Sequence, residues 1–452
     1  MPQQQKSSMP RLMRAMIDAF RLPDVRRKLL FTLAMLVVFR FVAHVPIAAV
    51  DAGALDELVS GRQQLPALLG MLDIFSGGAL RNVSIAMMGV YPYITASIIM
   101  QLMIPVIPRL QALQQEGDEG RRKLNRYTHW LMVPMCLLQG YSQMVILGRT
   151  TVDVGGVQTP LVGSVGFSGE LLLPTVSMLL SLTAGTVFLV WIGERITENG
   201  IGNGISIIIF GGIVSALPAN MWRSYLSGTT PVEGIFILLK LVILMLAIAF
   251  FIVFINEGVR RIPVQYSRSL FRGGRMYRQS GGTHIPLRVN SAGMIPLIFA
   301  YAILMLPATI ASYVGAVFVQ DLFGVDGYLY WIMLFLLVVG FTFFYTMVVF
   351  QQQNLAETLQ RQGGFVPGIR PGRPTAEYLN KVVTRITWGG ALFLALVAVV
   401  PLLSRWLVGG EGTTTLMLIS SAGLLIVVGV VLDTMRQLEA QLLMRQYEGF
   451  IK

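Results

Sequence analysis

The chain has 452 residues, 54% of them hydrophobic and only 13% charged, with a mean hydropathy of +0.66 and a formal net charge of +12. A soluble domain is about a quarter charged, so this composition excludes an ordinary water-soluble protein and points to a membrane one. A single cysteine, Cys136, excludes an intrachain disulfide or a cysteine metal cluster, and His44, His129 and His284 lack ligand spacing.

Residues 1–28 are polar and basic (Lys6, Arg11, Arg14, Arg21) and read as an amphipathic N-terminal segment. No cleavage site precedes the first apolar run, which argues against a removed signal peptide. Ten stretches then qualify as membrane spans by length and apolarity: 29–48, 83–104, 127–147, 171–192, 203–219, 236–255, 290–308, 331–350, 383–403 and 414–432. Between the first two lies the half-polar segment Met71–Asn82. It is too short to cross a bilayer, and Asp73, Arg81 and Asn82 would each be costly in hydrocarbon. Irregular backbone at membrane depth survives only against protein or a water-filled cavity, so this segment reads as a re-entrant element. An amphipathic helix on the outer surface is the alternative. Gly77 and Gly78 weaken any helix there and permit a turn.

An even number of spans puts both termini on one side. Twenty-eight of the 35 Lys and Arg residues fall on the side of the termini, with far less bias among acids. The positive-inside rule makes that side cytoplasmic, so the net charge describes one face rather than a nucleic-acid-binding domain. Five spans (residues 29–219) precede the outer loop 220–235 and five (236–432) follow it. An odd number per half inverts the second half relative to the first and suits an inverted repeat, with Pro231 near the hinge.

Gly200, Gly202 and Gly204 look like a phosphate loop, but no strand precedes them and the second spacing is wrong. Close helix approach and a tight turn explain them better. Loop 256–289 contains two β-prone runs flanking Gly273-Gly274, which predicts a hairpin turning at the glycines. It carries Arg260, Arg261, Arg268, Arg272, Arg275 and Arg278 with aromatics between them, chemistry suited to phosphate, base stacking or acidic protein. In loop 351–382 the Pro- and Gly-rich stretch 363–375 is expected to be non-helical and to hold Arg370 and Arg373 outward. Residues 433–452 form a short tail with no assignable role.

Four stretches resemble one family: Phe-Ser-Gly-Gly-Ala-Leu (75–80), Pro-Tyr-Ile-Thr-Ala-Ser-Ile-Ile (92–99), Asn-Gly-Ile-Gly-Asn-Gly-Ile-Ser-Ile-Ile-Ile (199–209) and Gly-Phe-Val-Pro-Gly-Ile-Arg-Pro-Gly (364–372). They resemble SecY, the channel subunit of the bacterial protein translocase, from about residue 20 to the end. The resemblance implies an all-α polytopic protein of two inverted five-helix halves around a central hourglass pore. That pore threads unfolded polypeptide and opens sideways into lipid. It implies a ring of aliphatic side chains at Val90, Ile94, Ile205, Ile209, Ile298 and Ile426, with Val90 where many relatives carry isoleucine. A deformable apolar ring can exclude water and ions yet pass a chain, which a fixed polar filter cannot.

By the same resemblance the re-entrant segment is a plug, a short helix near 69–80, including Asp73, Ile74, Phe75, Ser76, Gly77, Gly78, Ala79 and Leu80. A lateral gate is expected between spans two and seven, where Thr95, Ser97, Gln101 and Asn290 bring polar groups into apolar helices. Their hydroxyls could instead bond their own helix backbone. The family's partners are the small subunits SecE and SecG, the motor ATPase SecA, the ribosome through its RNA, signal peptides and nascent chains, and membrane lipids. The expected setting is the bacterial plasma membrane, and no cofactor is implied. An ion-coupled transporter usually carries intramembrane Asp or Glu, and the ten spans hold none. An intramembrane enzyme needs a catalytic constellation, and no carboxylate pair, Ser-His arrangement or metal set lies at matching depth.

Overall fold

A computed structural model describes residues 22–47, 50, 53, 73, 76–149, 151–154, 157–163, 165–166, 169–226, 230–272, 275–314, 327–353, 355–408 and 413–448. The chain divides into two compact units, Met1–Arg223 with Gly429–Lys452, and Ser224–Val428.

In the first unit, α1 (Pro23–Val42) starts with proline in its first turn, where a missing N–H is harmless, and Asp24 complements the positive helix end. The expected span 83–104 is helical only as α2 (Tyr91–Met103). Residues 77–90 are turns with one isolated bridge, because Gly77, Gly78, Val83 and Gly89 all take positive φ and cannot propagate a helix. Beyond Pro105 and Pro108, each of which denies the ladder an N–H, α3 (Pro108–Gln115) departs at 99° to α2. α4 (Asp118–Arg149) carries Pro134 in its interior. An antiparallel ribbon, β1 (Thr151–Val154) with β2 (Val157–Pro160), precedes α5 (Leu172–Asn199) and α6 (Gly204–Leu226).

Glycines set the closest approaches in this unit. A Cβ on Gly204 would stand 1.8 Å from the Gly193 carbonyl oxygen, and one on Gly185 would stand 2.0 Å from that of Ile85. Small residues of this kind let membrane helices pack backbone to backbone.

The turn joining α5 to α6 has its N–H groups already engaged. Ile201 donates to Thr32 Oγ1 (3.3 Å), Gly202 to Gln437 Oε1 (2.9 Å) and Gly204 to Thr197 Oγ1 (2.9 Å). A phosphate cradle needs those groups free, so the glycines here serve a structural turn.

The second unit opens with α7 (Pro231–Asn256), capped by Thr230, whose Oγ1 accepts the Glu233 N–H. Strands β3 (Val259–Arg272) and β4 (Arg275–Arg288) pair antiparallel with Arg272 opposite Arg275, the hairpin expected for this loop, while Gly273 and Gly274, where the turn is expected, lie outside the described residues. There follow α8 (Ile295–Val314), α9 (Tyr328–Gln353), α10 (Leu355–Arg361), β5 (Gly364–Phe365) and α11 (Arg373–Val408). α12 (Thr413–Glu448) belongs to the first unit from Gly429 onward.

The stretch 363–375 is therefore not wholly irregular. β5 pairs with β3, and a helix begins at Arg373, because Pro374 sits in the first turn where no N–H is required.

Among the described residues, five helices are long and apolar enough to cross a membrane: Asp118–Gly148, Gly169–Asn199, Val232–Asn256, Leu329–Arg361 and Arg373–Leu402. Gly204–Ala219 and Ile295–Leu304 are shorter apolar helices. The expected span 29–48 is helical only to Val42, and Lys28 and Arg40 leave it a short uncharged run.

Candidate functional site

Residues 73 and 76–85 form a compact, mostly non-helical insertion built on α1 and α6. Asp73 and Ser76 are helical. The helix ends there through a Schellman closure, in which the Gly78 N–H donates back to the Asp73 carbonyl at 2.9 Å and Gly77 takes the left-handed conformation at φ 69°. Residues 77–80, expected to continue the helix, are thus a turn. Ile74, Phe75 and residues 69–72 lie outside the described residues.

The turn closes on itself. Ser76 Oγ donates to the Asp73 carbonyl and accepts the Leu80 N–H, while Asp73 Oδ1 accepts the Arg81 N–H at 3.1 Å. Ser76, Ala79 and Leu80 are fully buried.

The root of the insertion is pinned to the chain leaving α1. Ile47 N–H donates to the Val83 carbonyl and Ile85 N–H to the Val45 carbonyl, both at 3.0 Å, around a Pro46–Ser84 bridge. Asn82 Nδ2 adds a bond to the Ala43 carbonyl. Val83 sits at φ 42°, which costs a β-branched residue of order 1–3 kcal/mol. The paired backbone on both sides over-determines it.

Val90 is buried and caps α2, and Ile94 follows one turn later, its N–H bonded to the Val90 carbonyl. Ile209 is buried on α6, and Ile205, in that helix's first turn, overlies Gly193 of α5. In the second unit Ile298 on α8 and Ile426 on α12 are both buried.

The polar residues assigned to a gate find their partners close by. Thr95 Oγ1 donates to the Pro92 carbonyl of its own helix and accepts from Gln139 Nε2 of α4 at 3.0 Å. Gln101 bonds Ser97 one turn earlier. Asn290 Nδ2 donates to Asn256 Oδ1, at the end of α7, at 2.8 Å.

The two arginine-bearing loops form one packed body in the second unit. Ile262, Val264 and Leu287 of the hairpin share a core with Leu359, Val366, Leu379 and Val383. β5 hydrogen-bonds β3 at Gln265–Phe365 and Tyr266–Gly364. This core fixes the loop after Val366 beside the hairpin root, and Arg370 is exposed on it between Gly368 and Gly372, both at positive φ.

Arg370 makes no ion pair among the described residues, whereas Arg373 Nε is held 3.2 Å from Glu377 Oε1. Arg260 and Arg261 are exposed. Arg268, Arg272, Arg275 and Arg278 occupy strand positions. The register pairs Arg268 with Gln279, Ser269 with Arg278 and Arg272 with Arg275. A cleft of about 360 Å³ between Phe350, Leu355, Gln360, Arg373, Leu379 and Asn380 opens beside this body.

Several participants escape sequence reasoning: Gln139, which bonds Thr95; Val366, which joins the two loops; and Gly212, which touches the insertion. Arg40, which also touches it, carries a signal in sequence, as a charge inside an apolar run that must snorkel or meet a partner helix.

The SecY family model matches residues 84–435. The chain is 41% identical over 453 residues to the protein translocase subunit SecY of Streptomyces galbus, covering 98% of this chain and 100% of that one. It is 38% identical to the protein translocase subunit SecY of Escherichia coli K12, covering 95% of each. Among solved structures it is similar to a protein-conducting channel at a TM-score of 0.60 and 17% identity, covering 94% of this chain and 96% of the other. It is also similar, at a TM-score of 0.59 and 18% identity and with the same coverage, to a SecY structure whose plug domain is described as stabilising the closed state and maintaining a membrane seal. A family model across most of the chain, with relatives near 40% identity along its full length, has one reading: the chain belongs to the SecY family.

Proposed function

We propose that this chain is the protein-conducting channel through which unfolded polypeptides cross the bacterial plasma membrane and hydrophobic segments leave sideways into lipid. The observation that carries the reading is the re-entrant turn 73–85, a compact non-spanning element seated against α1 and α6 in a chain of SecY relatives. In this reading the turn is the plug. Val90, Ile94, Ile205, Ile209, Ile298 and Ile426 form the aliphatic ring, and both termini are cytoplasmic.

The channel performs no chemistry of its own. Energy comes from SecA hydrolysing ATP or from the translating ribosome, and SecE and SecG complete the complex. The body carrying Arg370 and the β3–β4 hairpin is the docking surface. An unpaired, exposed arginine on a rigid loop is suited to phosphate or carboxylate through its planar fork. Thr95, Ser97, Gln101 and Asn290 line the gate helices, and contacts worth about 0.6–2 kcal/mol each are weak enough to yield to a signal segment.

The test reconstitutes the chain with its small subunits in vesicles. A secretory precursor is expected to enter only when SecA and ATP are supplied. Uptake of a small solute driven by an ion gradient, without polypeptide transport, would sink the channel reading.

A further inference from the structure

Arg40 is a charge in the apolar run of α1, and such a residue needs a partner. Its Nη1 donates at 2.8 Å to the carbonyl of Gly77, the residue that closes the Schellman turn. On the other side, Gly77 rests on Gly212 of α6. A Cβ on Gly212 would stand 2.4 Å from Gly77 Cα, and a Cβ on Gly77 would stand 2.6 Å from Gly212 Cα and 3.1 Å from Phe39 Cζ. The contact is backbone against backbone and admits no added methyl.

These contacts differ in kind from those at Ala43–Ile85. The paired backbone there lies at the root of the insertion and can persist while the turn swings. The Arg40 bond and the Gly212 contact lie beyond the root and must break first. We propose that Arg40 and Gly212 are positioning residues that form a latch, a charged donor and a flat glycine seat, holding the turn in its resting place. Because the turn is closed internally by Asp73 and Ser76, it leaves the seat as one piece. This inference rests on the plug reading above.

The test uses the purified complex with Cys136→Ala, so that the one buried native thiol is absent, and a reporter thiol introduced by Leu80→Cys, at a fully buried position whose side chain takes no part in the turn's internal hydrogen bonds. Maleimide labelling of that thiol reads the seating of the turn directly. Arg40→Gln is expected to speed labelling by roughly tenfold, the factor expected for losing one charge-assisted hydrogen bond. Arg40→Lys, which keeps a charged donor where glutamine offers only a neutral one, should recover part of the protection.

Gly212→Ala gives an independent arm. Alanine favours a helix over glycine, so α6 is not weakened, yet the methyl pushes Gly77 away and labelling should rise. Resting ion conductance in planar bilayers is measured alongside, together with a variant lacking 69–80. Parental labelling rates in both Arg40→Gln and Gly212→Ala overturn the latch. Equal labelling of the Gln and Lys variants overturns a charge-assisted bond from Arg40. If the deletion leaks while the latch variants stay silent, only the latch fails. If the deletion does not leak, the plug reading fails and takes the latch with it.

Discussion

The bond between Thr95 and Gln139 separates two readings of a residue assigned to the lateral gate. Thr95 Oγ1 is the acceptor for Gln139 Nε2, and the Gln139 carbonyl oxygen is buried without a hydrogen-bond partner among the described residues. Thr95→Val therefore leaves the whole amide unpaired, at a cost of about 1–3 kcal/mol. Gln139→Leu behaves differently. It forfeits one interhelical bond, about 0.6–1.7 kcal/mol, but removes a buried oxygen whose desolvation costs about as much, so its net effect lies near zero. Thr95 Oγ1 keeps the Pro92 carbonyl in that variant. The double variant should match Gln139→Leu alone, giving a coupling between the two sites as large as the Thr95→Val loss itself, about 1–3 kcal/mol.

Unfolding of the detergent-purified complex in mixed micelles, titrated with SDS, measures the cycle. Equal and additive losses, with coupling below about 0.3 kcal/mol, would refute the bond. A functional readout follows from the same variants. If Thr95 acts mainly within its own unit, Thr95→Val should lower stability without accelerating transport of a precursor with a defective signal sequence. Acceleration by Thr95→Val and none by Gln139→Leu would return Thr95 to the gate.

Two further outcomes rest on single positions. Charge reversal by Arg370→Glu should cut SecA-dependent transport by about tenfold, the scale of one lost charge-assisted contact, while the protein still inserts and accumulates; the same reversal at Arg373, already paired with Glu377, should cost less. Gly204→Ala would place a methyl 1.8 Å from the Gly193 carbonyl and should abolish accumulation, whereas Gly389→Ala, with open space around its Cβ, should be neutral or stabilising by up to about 1 kcal/mol. Quantitative immunoblotting and thermal inactivation rates distinguish the pair, and similar behaviour of both would contradict the α5–α6 packing.

The apolar runs at 127–147, 171–192, 236–255, 331–350 and 383–403 were legible because length and composition alone define a span. The β3–β4 hairpin was legible for a similar reason, since paired glycines between β-prone runs leave few alternatives. The span at 83–104 misled because apolarity says where a segment is buried but not its conformation. Val83 and Gly89 break the helix through backbone angles, and Val83 carries no composition signal at all. The stretch 363–375 misled in the opposite direction. Proline there suggests a helix breaker, yet Pro374 at the start of α11 is a helix former.

Site residues split along the same physical line. Arg370 could be picked out because Pro and Gly around it dictate an exposed, rigid loop. The partners of Thr95 and Asn290 could not be, because a hydroxyl or amide in an apolar helix has several acceptors within reach, and only packing selects among them. The latch is the extreme case. Gly212 sits in an apolar helix whose Gly-Gly pair reads as ordinary helix packing, and its contact with Gly77 lies 135 positions away along the chain. What singles it out is that two glycines from distant segments meet where neither tolerates a methyl, and that the one charged side chain of α1's apolar run binds the carbonyl at that spot. Both contacts act on a turn that closes its own polar groups. Loss of either should therefore free the turn without unfolding it, which separates a latch from a merely structural contact.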